Sequence, residues 1–290
     1  MTRLLWLAIT GVGLLILSCL PGDGDDQIVT WPASVLMTND DGLDTPGIRA
    51  LAEKLADDVE VYVVAPAGNR SGTGNYVSSL HEPMSVVEAD WGAGFAGVYA
   101  VGANPADGIV WGLEGLLAES PPDLVISGIN DGANAGSAWI TSGTIGAARM
   151  AAFMGVPAVA VSGYDDEDPV AVDQVAAWLS EFVRGAMVRA LRPGEYLLVN
   201  MPRIRMEDVK GVVVAPLDLG FLRMGVQRDD EFDVWVSRIG TTGEMDPDGD
   251  WAALREGKIV ITPMRVGEMN DLERFRDLAS ELSDPRDAGR

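Results

Sequence analysis

The sequence predicts an α/β fold, a doubly wound and mainly parallel sheet with helices on both faces. Three observations carry this reading. Short runs of Val, Ile and Leu recur along the chain and are continuously apolar, the pattern of strands buried on both faces. Segments with helical spacing separate them, so crossovers return each strand parallel to the last. With 290 residues, 47% of them hydrophobic, the chain is long enough to bury one large core.

The elements follow in order. SVLMT (34–38) is the first strand. PGIRALAEKLAD (46–57) follows as a helix with Ile48, Leu51 and Leu55 on one stripe, Thr45 as N-cap and Pro46 at the first helical position. VEVYVVAP (59–66), DLVISG (123–128) and PAVAVSG (157–163) are further strands, and TIGAARMAAFMG (144–155) and residues 170–191 are helices. EYLLVN (195–200) and GVVVAP (211–216) add two more strands. From about 217 to 250 the chain alternates and turns without a long helix, which predicts a C-terminal β-hairpin arm suited to oligomerisation. WAALREG (251–257) and KIVITPM (258–264) restore a helix and a strand before a polar amphipathic tail.

The chain opens differently. Arg3 precedes an almost wholly apolar stretch at 4–17, the form of a secretory signal and shorter than the roughly 20 residues of a membrane span. Cys19, the only cysteine, follows Ile16-Leu17-Ser18 and resembles the lipidated residue of a bacterial lipobox. A plain signal peptide and an uncleaved anchor are the alternatives. The expectation is an exported protein of the cell envelope or periplasm, with residues 1–18 removed, a tether at 19–32, a folded domain at 33–290, and any membrane attachment made through Cys19. A single cysteine excludes an internal disulfide.

Charge narrows the partners. Twenty-one Lys and Arg against 44 Asp and Glu leave a net charge of −23, which excludes a broad basic face for duplex nucleic acid. An anionic substrate then needs a local positive device, a metal ion or a helix N-terminus.

Ligands of open α/β sheets sit beyond the carboxyl ends of the strands. Four polar segments fall at such ends: TNDDG (38–42), APAGNRSGTGN (65–75), SGINDGANAG (127–136) and SGTIGAAR (142–149). A turn or helix start explains one aspartate of the Asp40–Asp41 pair and not both. A hard divalent cation, Mg²⁺ or Mn²⁺, explains the two together, because it offsets their repulsion. His81 is the only histidine, so a His/Cys zinc site cannot be built, and phosphatase mechanisms that depend on histidine are disfavoured. His81 itself reads as an ordinary surface residue. Ser142-Gly143-Thr144 opens a helix, where free N–H groups and hydroxyls bind phosphate. Simple capping by Ser142 or Thr144 is the alternative. GTGNYV lacks the third glycine of a dinucleotide fingerprint, and neither GxxxxGK[ST] nor GxSxG occurs.

Taken together, LMTNDDGLDTPGIRAL, VYVVAPAGNRSGTG, PDLVISGINDGANAG and SGTIGAARMAAFMGVPAVAVS resemble, in order, the SurE family of metal-dependent phosphatases, the survival-protein 5′(3′)-nucleotidases. The later strands YLLVN, KGVVVAPL and GKIVITPM extend the similarity over roughly residues 34–265. The resemblance implies a Rossmann-like fold with a protruding arm, assembled as a homodimer or homotetramer. It implies one divalent ion held by Asp40, Asp41, Ser71 and Asn130. Asn39, Gly72 and Asn134 would line the pocket, and Ser142, Gly143 and Thr144 would bind the phosphate. The expected reaction is hydrolysis of a phosphomonoester, a nucleoside 5′- or 3′-monophosphate. Asp40 and Asp41 are the catalytic candidates, as ligand, nucleophile or proton donor. The family is mostly soluble and intracellular, so the export signal is a departure. The alternatives are an exported nucleotide- or metal-binding protein without catalysis and, more weakly, a dinucleotide-dependent oxidoreductase.

Overall fold

The structure is a computed structural model that describes residues 31–164, 168–229 and 231–267. The leader, Cys19, most of the tether and the polar tail lie outside the described residues. Among the described residues no helix is long and apolar enough to cross a membrane.

The first strand, β1 (Ser34–Thr38), shows how the layers arise. Successive side chains of a strand point to opposite faces, and here both faces are covered. Val35 and Met37 join a core with Ile48, Leu51 and Leu55 of α1 (Pro46–Leu55) and with Val172, Val175 and Leu179 of α4 (Pro169–Val183). Leu36 points the other way, into a core with Ile109 of α2 (Pro105–Trp111) and Ile145, Ala148 and Ala152 of α3 (Gly143–Phe153).

The main sheet has nine strands in the order β3-β4-β2-β1-β5-β6-β7-β11-β8. β2 (Glu60–Pro66), β4 (Gly97–Val101), β5 (Leu124–Asp131), β6 (Ala158–Tyr164) and β7 (Glu195–Asn200) form with β1 a continuous parallel block. β3 (Val86–Glu88) closes one edge antiparallel to β4. At the other edge β11 (Ile259–Arg265) runs antiparallel to β7, and β8 (Val212–Val214) pairs parallel to β11. The chain travels from β1 outward through β2 to β4, then returns to place β5 on β1's other side. That reversal puts a crevice beyond the carboxyl ends of β1 and β5, the switch point where doubly wound sheets bind ligands.

Two expectations need correction. Residues 170–191 do not form one helix: α4 ends at Val183 and a short α5 (Ala186–Arg189) begins after Gly185. Gly185 has extended backbone (φ −73°, ψ 165°), which breaks the helical path despite continuous apolar spacing. The sequence pattern assigns nothing between 76 and 122, where the structure places β3, β4, α2 and a π-helical turn, Gly112–Leu116. These elements are short, and glycines at 97, 102, 108, 112 and 115 weaken both the strand and the helix signal along them.

The arm is present as a separate two-stranded sheet of β9 (Leu222–Asp229) and β10 (Val234–Thr241), joined antiparallel. Its register pairs Leu222 with Thr241, Met224 with Ile239, Val226 with Ser237 and Arg228 with Trp235. Directly paired residues share a face, so Leu222, Met224, Val226, Trp235 and Ile239 form one apolar side. Two buried carboxylates fasten its root. Asp250 accepts N–H bonds from Gly136 (2.6 Å), Asp218 (2.9 Å) and Trp251 (2.8 Å). Asp218 accepts from Gly220, Phe221 and Asp246. Burial pushes the Asp250 carboxyl above its ordinary value, with the nearby Asp218 charge acting in the same direction, against the pull of the three N–H donors.

Candidate active site

The turn after β1 is built by Asn39. Its amide donates to the Gly42 carbonyl (2.9 Å) and to Thr45 Oγ1 (2.8 Å), and its carbonyl oxygen accepts from Gly42 N–H (3.2 Å). Thr45 in turn donates its hydroxyl to the Gly42 carbonyl rather than capping α1, whose N-cap position it occupies. Asn39 is fully buried and outside the cleft lining; it shapes the loop that presents Asp40 and Asp41.

Asp40 enters the start of α3. Its Oδ1 accepts a short bond from the Thr144 hydroxyl (2.5 Å) and its Oδ2 accepts from Gly143 N–H (3.1 Å). The side chain is almost fully buried, and burial pushes its carboxyl up while the Thr144 and Gly143 donors pull it partly back. Gly143 permits this approach: a Cβ there would stand 2.8 Å from Asp40 Cβ and 2.9 Å from its Oδ2. The hydroxyl and N–H expected to face phosphate therefore hold Asp40, whose carboxyl group occupies the helix N-terminus. Ser142 caps the same helix, its Oγ accepting from Ile145 N–H (3.1 Å), and also lines the cleft.

Asp41 is less buried. Its Oδ2 accepts from the backbone N–H of Asp131 (3.0 Å), which ties the β1 loop to the end of β5. There the pairing of β5 with β6 slips between Ser127 and Asn130, an irregularity of the kind that re-aims side chains beside active sites. Asn130 donates both amide hydrogens to backbone, to the carbonyls of Asp131 (2.8 Å) and Gly132 (2.8 Å). Its carbonyl oxygen is the atom left to act as an acceptor or ligand. Asn134 donates to Ser162 Oγ (2.9 Å) and is clasped by Asn200, which accepts from its N–H (2.8 Å). Ser71 is exposed on the loop after β2, next to Gly72 at φ +83° with open space where a Cβ would be.

One cleft of about 450 Å³ collects Asp40, Ser71, Gly72, Asn130, Asn134 and Ser142. Asp41, Gly143 and Thr144 stand outside its lining, tied to it through Asp131 and Asp40. Among the described residues no three His, Cys, Asp or Glu side chains cluster as metal ligands. A cation here must draw on amide and hydroxyl oxygens beside the carboxylates. Asp40, the Asn130 carbonyl and the Ser71 hydroxyl in the cleft, with Asp41 tied to its edge, are oxygen donors of the kind a hard divalent ion takes.

The cleft is also lined by apolar residues absent from the sequence-based site: Leu222 and Ile239 of the arm root and Trp251 of α6 (Asp250–Arg255). Asp131, Ser162 and Asn200 are likewise additions. Asp131 follows Asn130 in SGINDG and was within sight of the motif, whereas the others lie on distant elements with no local signal.

A doubly wound sheet with a polar, oxygen-rich cleft at its switch point defines an α/β protein of the class that binds small ligands there. Comparison with known proteins gives the family. The sequence profile described as Survival protein SurE matches residues 35–221. The 5′-nucleotidase SurE of Desulfatibacillum aliphaticivorans is 36% identical over 252 residues, covering 83% of this chain and 98% of that protein. The 5′-nucleotidase SurE 1 of Burkholderia lata is 34% identical over 254 residues, covering 83% and 95%. In structure, the SurE protein from Aquifex aeolicus superposes with a TM-score of 0.71 at 28% identity, covering 85% of this chain and 98% of that one. The chain belongs to the SurE family.

Proposed function

We propose that this chain is a divalent-metal-dependent phosphomonoester hydrolase acting on nucleoside 5′- or 3′-monophosphates. The observation that carries the reading is the convergence of Asp40, Ser71 and Asn130 on one cleft, with Asp41 tied to its edge, in a chain whose relatives are named nucleotidases. Asp40, Asp41, Ser71 and Asn130 would hold the ion, and their oxygens suit Mg²⁺ or Mn²⁺. When bound, such an ion supplies Lewis-acid polarisation of a phosphoryl oxygen and offsets the negative charge of site and substrate.

The chain's own residues do the positioning. Thr144 and Gly143 hold both oxygens of Asp40, which suits a fixed ligand better than a nucleophile that must reach phosphorus. The Asp131 N–H orients Asp41, and Asn130 is turned by its own two backbone bonds. Gly72 leaves backbone open to a phosphate beside Ser71. The same proposal includes assembly as a homodimer or homotetramer through the arm, supported by its exposed Val226, Phe232 and Trp235. It also includes export to the cell envelope, supported by Arg3, the apolar leader and Cys19.

The test is hydrolysis of adenosine 5′-monophosphate by purified protein with Mg²⁺ or Mn²⁺ and with chelator. Activity should require metal, and Asp41→Asn should lower kcat by on the order of 10²-fold or more. Undiminished turnover in chelator rejects the proposal.

A further inference from the structure

A second pocket, of about 310 Å³, shares no lining residue with the cleft. Arg149 and Phe153 of α3 line it, with Trp139 from the turn before that helix, Tyr196 of β7, Arg265 at the end of β11 and Asn75 from the loop after β2. None of these residues has a part in the proposed reaction. We propose that this pocket binds a small hydroxyl-bearing organic phosphate of sugar-phosphate size, with its phosphate on Arg149 and Arg265 and its carbon skeleton against Phe153.

Arg149 carries most of the argument. In a chain of net charge −23 a half-buried guanidinium has many carboxylates to choose from, yet among the described residues none pairs with it. Neutral groups hold it instead. Its Nε donates to Tyr196 Oη (3.3 Å), its Nη2 donates to the Trp139 carbonyl (3.2 Å), and the guanidinium lies 4.7 Å from the Trp139 ring centroid. These contacts occupy the Nε edge and leave the Nη1 hydrogens for a ligand. A planar cation fixed with one edge free is suited to two oxygens of a phosphate. Tyr196 Oη accepts from Arg149 and so keeps its own hydrogen to donate. Arg265 adds a second cation: it reaches Glu195 only at 3.8 Å, and its side chain is 71% exposed and able to turn to an anion.

The remaining lining says what the anion is attached to. Phe153 is 74% exposed and offers apolar area to a carbon skeleton. The Asn75 Oδ1 is buried and has no hydrogen-bond partner among the described residues. An acceptor in that state is costly, and turning the amide to a ligand hydroxyl supplies its donor, which an ionised phosphate oxygen cannot do. Cation edge, apolar face and unmet acceptor together suit a hydroxylated organic phosphate better than a bare one. The volume lies at the low end for small-molecule sites, which favours a single sugar ring over a larger ligand.

The experiment is titration calorimetry on the full chain in chelator, with glucose 6-phosphate, inorganic phosphate and glucose as probes. Chelator stops metal-dependent turnover and leaves the aspartates of the cleft to repel anions. Glucose 6-phosphate should bind about tenfold or more tightly than inorganic phosphate, and glucose should give no measurable binding. Arg149→Gln should weaken glucose 6-phosphate by about tenfold or more, and Arg149→Lys by less, because it keeps the charge and loses the fork. Arg265→Gln changes an exposed side chain with little consequence for folding, and should weaken binding by about threefold. Asp41→Asn should leave the affinity unchanged. No binding by wild-type protein, or an affinity that ignores both arginines and follows Asp41→Asn, overturns the second site. Inorganic phosphate binding as tightly as glucose 6-phosphate overturns the organic ligand and assigns the pocket to free phosphate. Metal-dependent hydrolysis is measured separately and stands or falls without this site.

Discussion

The edge of the cleft at α3 and the hairpin arm are both read from short sequence patterns, yet they are built on opposite principles. At α3 the polar atoms turn inward. Asp40 and Thr144 are buried, and each finds its partner across the sheet edge. In the arm the apolar atoms turn outward, with Val226 71% and Trp235 69% exposed. A buried carboxylate is tolerable only because donors are placed for it, so that region has one allowed arrangement. The arm strands are held by their own ladder and by the Asp218–Asp250 anchor at the root, so side chains beyond the root are free to vary as far as folding is concerned. Precision is concentrated where carboxylates are buried, and surface is offered where none of the described residues covers it.

The largest effect should come from adding one methyl group at the cleft. Gly143→Ala puts a Cβ within 3 Å of Asp40, and displacing that carboxyl group by such an amount should reduce kcat/KM by about 10²-fold. A metal-dependent assay alongside a thermal melt separates this from unfolding; full activity would show that the close Gly143 approach does not position Asp40.

Asp107 tests the same rule away from the cleft. Burial pushes its carboxyl up, but donors from Ser79, Ser78 and Asn104 outweigh it and hold it below the ordinary value of 3.8. A carboxylate lowered by folding contributes stability above its unfolded value and loses it as pH falls through the folded value. The stability gap between wild-type protein and Asp107→Asn should therefore be full at neutral pH and close as pH drops below 3.8. Urea melts across that range measure it, and a gap independent of pH would contradict the assignment.

The smallest effect on folding is expected in the arm. Trp235→Ser removes a large side chain that is 69% exposed, and it should change monomer unfolding by no more than about 0.5 kcal/mol. Sedimentation of the same variant reports on assembly. A loss of several kcal/mol in the melt would mean that Trp235 is buried in the working protein, erasing the contrast between the two regions.

How much was legible follows from how local each feature is. β1, β2, β5 and β6 announce themselves because strands covered on both faces are continuously apolar. β4 and α2 do not, because they are short and interrupted by glycine, at Gly97 and Gly102 around the strand and at Gly108 inside the helix. Asp40 and Asp41 stand out because two like charges in sequence need a common explanation. Asn39 looked like part of the pocket and instead makes its turn, since an Asn side chain that bonds its own loop is indistinguishable in sequence from one that bonds a ligand.

By itself, then, the sequence determined the periodicities, hence the layered α/β fold, the acidic pair at a strand's end, and an ordered set of motifs specific enough to indicate the family. Tertiary structure decided who uses each donor. Gly143 and Asp40 are 103 positions apart, and only the pairing of β5 beside β1, with α3 following β5, gives that helix N-terminus to a side chain of the protein. The same holds for Leu222, Ile239 and Trp251, which become a cleft wall because the arm root is pinned against Gly136 by Asp250. Periodicity is a property of neighbours along the chain and can be read there. A hydrogen bond or a shared wall between distant segments exists only once the sheet order has brought them together.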